Sequence, residues 1–398
     1  MAWLIVEYIL VALTILSVLG GLLILAYLRL TERLAPNFSD SFRSVEKKVP
    51  TPPFLSIIIT AKNEESTIGN GIRSLLAQTH RDFELIIVDD SSTDGTQQVV
   101  KELQKHDSRI HLVSAGEKPA GWIGKSWPCQ RGFEECKGEV ILFADADSVF
   151  EPQAVWKTLG YFQAQSYDMF SISPKVRLRG IWSNAIMPLL SGGINLLYPM
   201  KKVNDTSNAR AYVFGTFIMV RRSVYEAIGG HKAVRERLVE DAAIASLAKS
   251  KGYKLRVEKG GGVLTTEWES DLQSVYHGLE RVFSDSIRPY GSIAMLNAIL
   301  IFFLGIYPLL VAVSCAYLYF SGSPSVPIAI SGFFGFLGVA GFLVLYVSEL
   351  RLTSGVVGAY PLIYPLGCLI FMAAIVSASR KISQGLGFEW KGQRYPSS

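Results

Sequence analysis

Residues 141–150 read ILFADADSVF, an apolar run broken by Asp145 and Asp147. If the run is a strand through both aspartates, side-chain alternation puts the two carboxylates on one face, a few ångströms apart. Two such anions are costly to hold together unless a cation lies between them. A hard divalent cation suits the pair. Mg²⁺ or Mn²⁺ takes one or two carboxylates, keeps waters, and completes its shell with diphosphate oxygens. A diphosphate leaving group needs that same charge. Asp145 and Asp147 are therefore candidate metal ligands, although the string DADS also suits a helix cap.

Outward from this stretch the chain alternates strands and helices. LSIIIT (55–60), FELIIVDD (83–90), RIHLVSA (109–115) and EVILFADAD (139–147) read as buried strands. IGNGIRSLLAQTH, residues 97–105, residues 126–137 and EPQAVWKTLGYFQ read as helices, the last with Pro152 in its first turn. This pattern predicts an α/β fold with a parallel, doubly wound sheet. Ligands of such sheets bind beyond the carboxyl ends of the strands. Asn63 and Glu64, Asp89 and Asp90, and Asp145 and Asp147 all fall at those ends. Further on, RERLVEDAAIASLAKSKGYKLRVE (235–258) predicts an amphipathic helix that starts at Glu240-Asp241 and stops at Gly252. An acidic first turn accounts for that pair as readily as a site does.

Two nucleotide motifs are excluded. GWIGKSW (121–127) ends like a phosphate-cradling loop, but Pro119 stands where the leading glycine is required. The first strand runs into TAKNEES, without the glycine of a dinucleotide turn. Lys125 remains a candidate contact for a phosphate or an acceptor.

Of the 398 residues only 18% are charged and 49% are hydrophobic, which points to membrane segments. The formal charge of +5 fits basic loops beside membrane helices. No basic block interleaved with aromatics is present, so no nucleic-acid partner is expected. The four cysteines form no framework and are expected to be free, buried thiols.

The expected organisation is a transmembrane helix over residues 1–29, a linker over 30–53, a catalytic domain over 54–290, about three membrane segments within 291–380, and a basic tail over 381–398. The three segments lie near 293–320, 326–348 and 356–378. Arg29, Arg33, Arg43, Lys47 and Lys48 follow the first helix, while Arg281 and Arg288 precede the second. The positive-inside rule makes their shared side cytoplasmic, which predicts a multi-pass protein of the cytoplasmic membrane. Three further crossings would carry Arg380, Lys381, Lys391 and Arg394 to the opposite side, against the rule. Either the tail breaks the rule, or one C-terminal segment is re-entrant or interfacial. The apolar, Gly- and Pro-interrupted stretch 181–200, followed by Lys201 and Lys202, is expected at the headgroups or in the domain core.

In order and spacing, LSIIITAKNEE, ELIIVDDSSTDGT, GEVILFADADSVF, FGTFIMVRRSVYEAIGGH (214–231) and VEDAAIASLAKSKGYKLRV resemble the family 2 glycosyltransferases, which have a GT-A fold, Rossmann-like with a mostly parallel sheet. GWIGKSWPCQRG and the tail GFEWKGQRY (387–395) resemble the membrane-bound subgroup that includes carotenoid- and hopanoid-associated enzymes. The resemblance implies roles. Ala61, Asn63, Glu64, Asp89 and Asp90 would hold the nucleotide's base and ribose. Asp145 and Asp147 would hold the metal and the nucleotide-sugar donor. Asp241 would be the general base on the acceptor hydroxyl, with Glu240 positioning acceptor or donor. Transfer would invert the anomeric carbon.

Processive members of the family carry Q-x-x-R-W after the acidic motif. The corresponding stretch here, SVYHGLERVFSDSIRPYG (274–291), has none, which favours transfer of a single sugar. A membrane tether at both ends fits a lipid acceptor such as a carotenoid, hopanoid, polyprenyl phosphate or glycerolipid. The competing readings are a processive polysaccharide synthase, a nucleotidyltransferase and an inactive membrane scaffold.

Overall fold

The computed structural model describes residues 2–268, 271–323, 325–386, 388–390 and 393–395. Lys391 of the expected basic tail lies outside the described residues. The chain divides into two compact units. A sheet unit holds Leu34–Arg177 and Tyr198–Glu267, and a helical unit holds Leu178–Leu197 with the N- and C-terminal helices. Beside the expected catalytic domain 54–290, the sheet unit also takes in 34–53 and leaves out 178–197 and 268–290.

The sheet has seven strands, in the order Ile110–Ser114, Phe83–Asp89, Leu55–Ala61, Val140–Asp145, Phe217–Arg221, Met169–Ser173, Leu255–Lys259. The first four run parallel. Their near-continuous apolar sequences follow from burial on both faces. Ile57, Ile59, Leu85, Ile87 and Leu142 point to one core, with Ile68, Ile72, Val155 and Leu159 from helices. Ile58, Ile86, Val88, Ile141 and Phe143 point to the other, with Cys129, Val224, Ile244 and Ala245. Helix Ser126–Glu135 lies tight on this second face, since a Cβ on Gly132 would sit 2.4 Å from Ile58 Cγ2.

Two features differ from the sequence expectation. Phe217–Arg221 runs antiparallel to both its neighbours. It therefore enters the sheet at the edge where the parallel strands leave it. The fourth strand stops at Asp145, and Ser148 N–H closes a turn onto the Asp145 carbonyl (3.2 Å). Asp147 lies in that turn, so strand alternation is not what brings the two carboxylates together. The chain then forms the short strand Val149–Phe150, which pairs with Leu264–Trp268.

In the helical unit, Trp3–Leu34, Met295–Phe320, Val326–Thr353 and Tyr360–Ser383 are long and apolar enough to cross a membrane. Leu23 is 72% exposed and Phe320 86%, as expected for side chains that face lipid rather than water. Residues 181–197 of the stretch 181–200 form most of helix Gly180–Leu197 and belong to this unit, while Tyr198 returns to the sheet unit. Tyr346 Oη donates to the Asn184 carbonyl (2.7 Å), and Ser191 Oγ donates to Glu349 (2.8 Å). Lys381 donates to Glu280 (2.8 Å), a residue that precedes the second span. The basic end of the last helix therefore lies on the side of Arg281. All four cysteines are free and buried.

A Gly132→Ala substitution should lower stability by about 1–3 kcal/mol, because the added methyl overpacks the helix–sheet contact. Thermal unfolding of the purified protein in detergent checks this.

Candidate functional site

The strand order 3-2-1-4 reverses between Leu55–Ala61 and Val140–Asp145, and a crevice opens at such a switch point beyond the strand ends. Register fixes what lines it. Thr60 is opposite Asp145, and Ala61 is opposite Asp89. Three of the sequence candidates are therefore placed by the backbone alone.

On one side of the switch point, two loops are laced together. Asn63 N–H donates to Ser92 Oγ (3.0 Å), and Thr93 N–H donates to Asn63 Oδ1 (2.8 Å). Glu64 N–H donates to Thr96 Oγ1 (2.8 Å), and Gly95 N–H donates to Glu65 (2.9 Å). Asn63 holds φ = 56°, a left-handed conformation that asparagine tolerates better than most residues. Asp89 accepts from Gln97 Nε2 (2.7 Å), while its other oxygen is buried with no hydrogen-bond partner among the described residues. Asp90 pairs with Lys118 (3.5 Å), and Lys118 also donates to the Gly124 carbonyl (2.9 Å). Lys118 was not among the sequence candidates. Its only signal was a second lysine in the glycine-containing segment that carries Lys125.

On the other side, three carboxylates meet one ammonium. Lys125 Nζ donates to Asp145 Oδ1 (3.0 Å) and lies 3.4 Å from Glu240 Oε1. Glu240 and Asp241 open helix Glu240–Ser250, and Asp241 Oδ1 accepts from the N–H of Ala242 (2.7 Å). Gly215, at the mouth of the antiparallel strand, lets these groups converge. A Cβ there would sit 2.8 Å from Asp241 Oδ2 and 3.3 Å from Lys125 Nζ. Burial alone would push the Lys125 ammonium down, but Asp145, Glu240 and Asp241 outweigh it and hold its pKa well above the ordinary value.

Asp147 is held differently. Thr266 Oγ1 (2.8 Å) and Glu267 N–H (3.2 Å) both donate to its Oδ2. Burial, reinforced by the charge of Asp145, still pushes its carboxyl up to about 7. Helix Ile68–Leu76 backs the turn that carries it, with a Cβ on Gly71 only 2.9 Å from the Ala146 carbonyl oxygen. Behind the acidic helix, Tyr225 Oη bonds His231 Nδ1 (2.8 Å) and accepts from the His231 N–H (3.0 Å). Burial, with Lys125 nearby, pushes His231 down to about 3, so it stays neutral.

Residues 56–229 match the family described as Glycosyl transferase family 2. These residues form a family 2 glycosyltransferase domain. The match ends ahead of Glu240 and Asp241. The chain is 28% identical over 211 residues to the 4,4'-diaponeurosporenoate glycosyltransferase of Staphylococcus aureus, covering 52% of this chain and 54% of the relative. It thus spans about half the length of the curated relatives it matches. Among solved structures, the mannosyltransferase PcManGT from Pyrobaculum calidifontis, in complex with GDP-Man and Mn²⁺, covers 94% of this chain with a TM-score of 0.55. The alignment takes in 98% of that chain, and at 15% identity the likeness shows the fold alone. The glycosyltransferase domain has the GT-A fold.

Lys118→Met should free the segment 116–125 while leaving the sheet folded. Amide exchange there should speed up by roughly tenfold, equivalent to losing one charge-assisted hydrogen bond of about 1.5 kcal/mol. Hydrogen-exchange mass spectrometry checks this.

Proposed function

We propose that the protein transfers a single sugar from a nucleotide-sugar donor to a membrane lipid, with inversion and with help from a divalent cation. The observation that carries this reading is the meeting of Asp145, Glu240 and Asp241 around Lys125 at the switch-point edge of a family 2 domain.

The donor end is formed by the laced loops. Ala61, Asn63, Glu64, Asp89 and Asp90 hold the base and ribose, and Lys118 keeps Asp90 in place. Asp145 and Asp147 hold Mg²⁺ or Mn²⁺. Their fit to such an ion is chemical. The donors are hard oxygens, and burial together with the charge of Asp145 raises the Asp147 carboxyl, a cost that a bound cation would relieve. Among the described residues no three His, Cys, Asp or Glu side chains gather to hold a metal. A cation here would therefore complete its shell with the donor's diphosphate. When bound, it supplies positive charge to the departing diphosphate.

The acceptor end is formed by the acidic helix. Asp241 Oδ1 is engaged by the helix backbone, which leaves Oδ2 directed toward the Gly215 side. Asp241 takes the proton of the acceptor hydroxyl as its oxygen attacks the anomeric carbon. The new C–O bond forms as the bond to the diphosphate breaks, and the nucleoside diphosphate leaves. Attack opposite the leaving group inverts the carbon. Glu240, buried beside Lys125, positions the reactants.

A lipid acceptor is supported by the apolar helices and by the Staphylococcus aureus relative, which is named for 4,4'-diaponeurosporenoate. Charge on Arg29 and Arg33 at the C-terminal end of the first apolar helix supports a catalytic unit on the cytoplasmic side of the cell membrane.

Detergent-purified protein given UDP-, GDP- and dTDP-sugars, Mn²⁺ or Mg²⁺, and a total lipid extract should release nucleoside diphosphate and label one lipid. Asp241→Asn should cut turnover by about 10²–10⁴, the usual worth of a general base. Polymer formed without lipid would favour a synthase. No turnover with any donor would overturn the proposal.

A further inference from the structure

Lys125 occupies the position at the centre of the cluster where charge balance calls for a cation. It is anchored to both halves of the site at once, to Asp145 at 3.0 Å and to Glu240 at 3.4 Å. The Glu240 side chain is 8% exposed and that of Lys125 23%, so water screens the pair weakly. Gly215 keeps the space open on the Asp241 side, where a methyl would meet both Asp241 Oδ2 and Lys125 Nζ. The buried hydroxyls of Ser126 and Thr216, next in sequence to Lys125 and Gly215, have no hydrogen-bond partner among the described residues.

A diphosphate competes well for that ammonium, because it offers more charge and more acceptor oxygens than one carboxylate. The geometry points to Lys125 as a resident cation of the site. Without donor it ties donor-side Asp145 to acceptor-side Glu240, and when donor binds it transfers to the diphosphate. This rests on the glycosyltransferase reading above and adds a step to it. Donor arrival releases Asp145 and Glu240 together, so these two carboxylates are freed of the ammonium only when a donor is present. It also gives the protein a foothold on the diphosphate that needs no divalent metal.

The test measures binding rather than turnover. Calorimetry with the full chain in detergent would titrate UDP, GDP and dTDP, each in EDTA and in Mn²⁺, against wild type, Lys125→Gln and Lys125→Arg. Uridine, guanosine and thymidine serve as phosphate-free controls. Wild type should bind one of the diphosphates in EDTA. Lys125→Gln should weaken that binding by about 10- to 100-fold, the ratio expected for one charge-assisted hydrogen bond. Lys125→Arg should retain most of it, and affinity for the matching nucleoside should be unchanged in both variants. That control also shows that the variants are folded.

Wild type that binds a diphosphate only with Mn²⁺ would overturn the resident cation and leave the glycosyltransferase reading standing. Equal affinity of wild type and Lys125→Gln in EDTA would do the same. No binding of any diphosphate under either condition would bring down both.

Discussion

Four carboxylates at one sheet edge repel one another, and the glycosyltransferase domain is arranged around that repulsion. Asp145, Asp147, Glu240 and Asp241 come from distant parts of the chain, and at least Glu240 and Asp147 are poorly hydrated. Left to side-chain freedom they would swing apart. Backbone placement prevents this. Asp145 is fixed by the register of a strand buried on both faces, Asp147 by two donors on a neighbouring strand, and Asp241 by its own helix. A single ammonium then offsets part of the charge. Glycines complete the arrangement where a Cβ would hold parts away, at Gly71 behind the aspartate turn and at Gly215 beside Asp241.

The parallel half of the sheet was legible because burial on two faces leaves a local mark, a β-branched run without polar alternation. The direction of Phe217–Arg221 left no such mark. FIMVR is mostly apolar, like the parallel strands of the sheet, and its sense is set by where the chain has to enter. The strand end was misjudged for a related reason. Val140–Asp145 and the turn after it differ only in backbone hydrogen bonds, to which the string DADS is indifferent. The role of Lys125 was hidden by distance. Its partner Glu240 is far along the chain, and only folding shows that the cation among the carboxylates includes a side chain.

The membrane segments show the same limit. Hydropathy located four apolar helices, and counting basic residues then gave a conflict at the tail. Such counting treats each lysine as solvated charge. Lys381 is instead paired with Glu280, whose side chain is 5% exposed, on the helix leading into the second span. Pairing with Glu280 thus takes Lys381 out of the set of solvated charges on which such a count relies.

The family match ends at residue 229, while the acidic pair begins at 240. The two are joined by physical contacts rather than by similarity. The buried Tyr225–His231 bond lies within and just beyond the matched residues, and it braces the chain that leads to Glu240. Because burial keeps His231 neutral, that brace adds no charge beside Lys125. Lys125, inside the matched segment, reaches Glu240 outside it. On the proposed reading, the donor residues fall within the family-matched part of the domain, and the acidic pair proposed to meet the acceptor is positioned by this chain's own contacts.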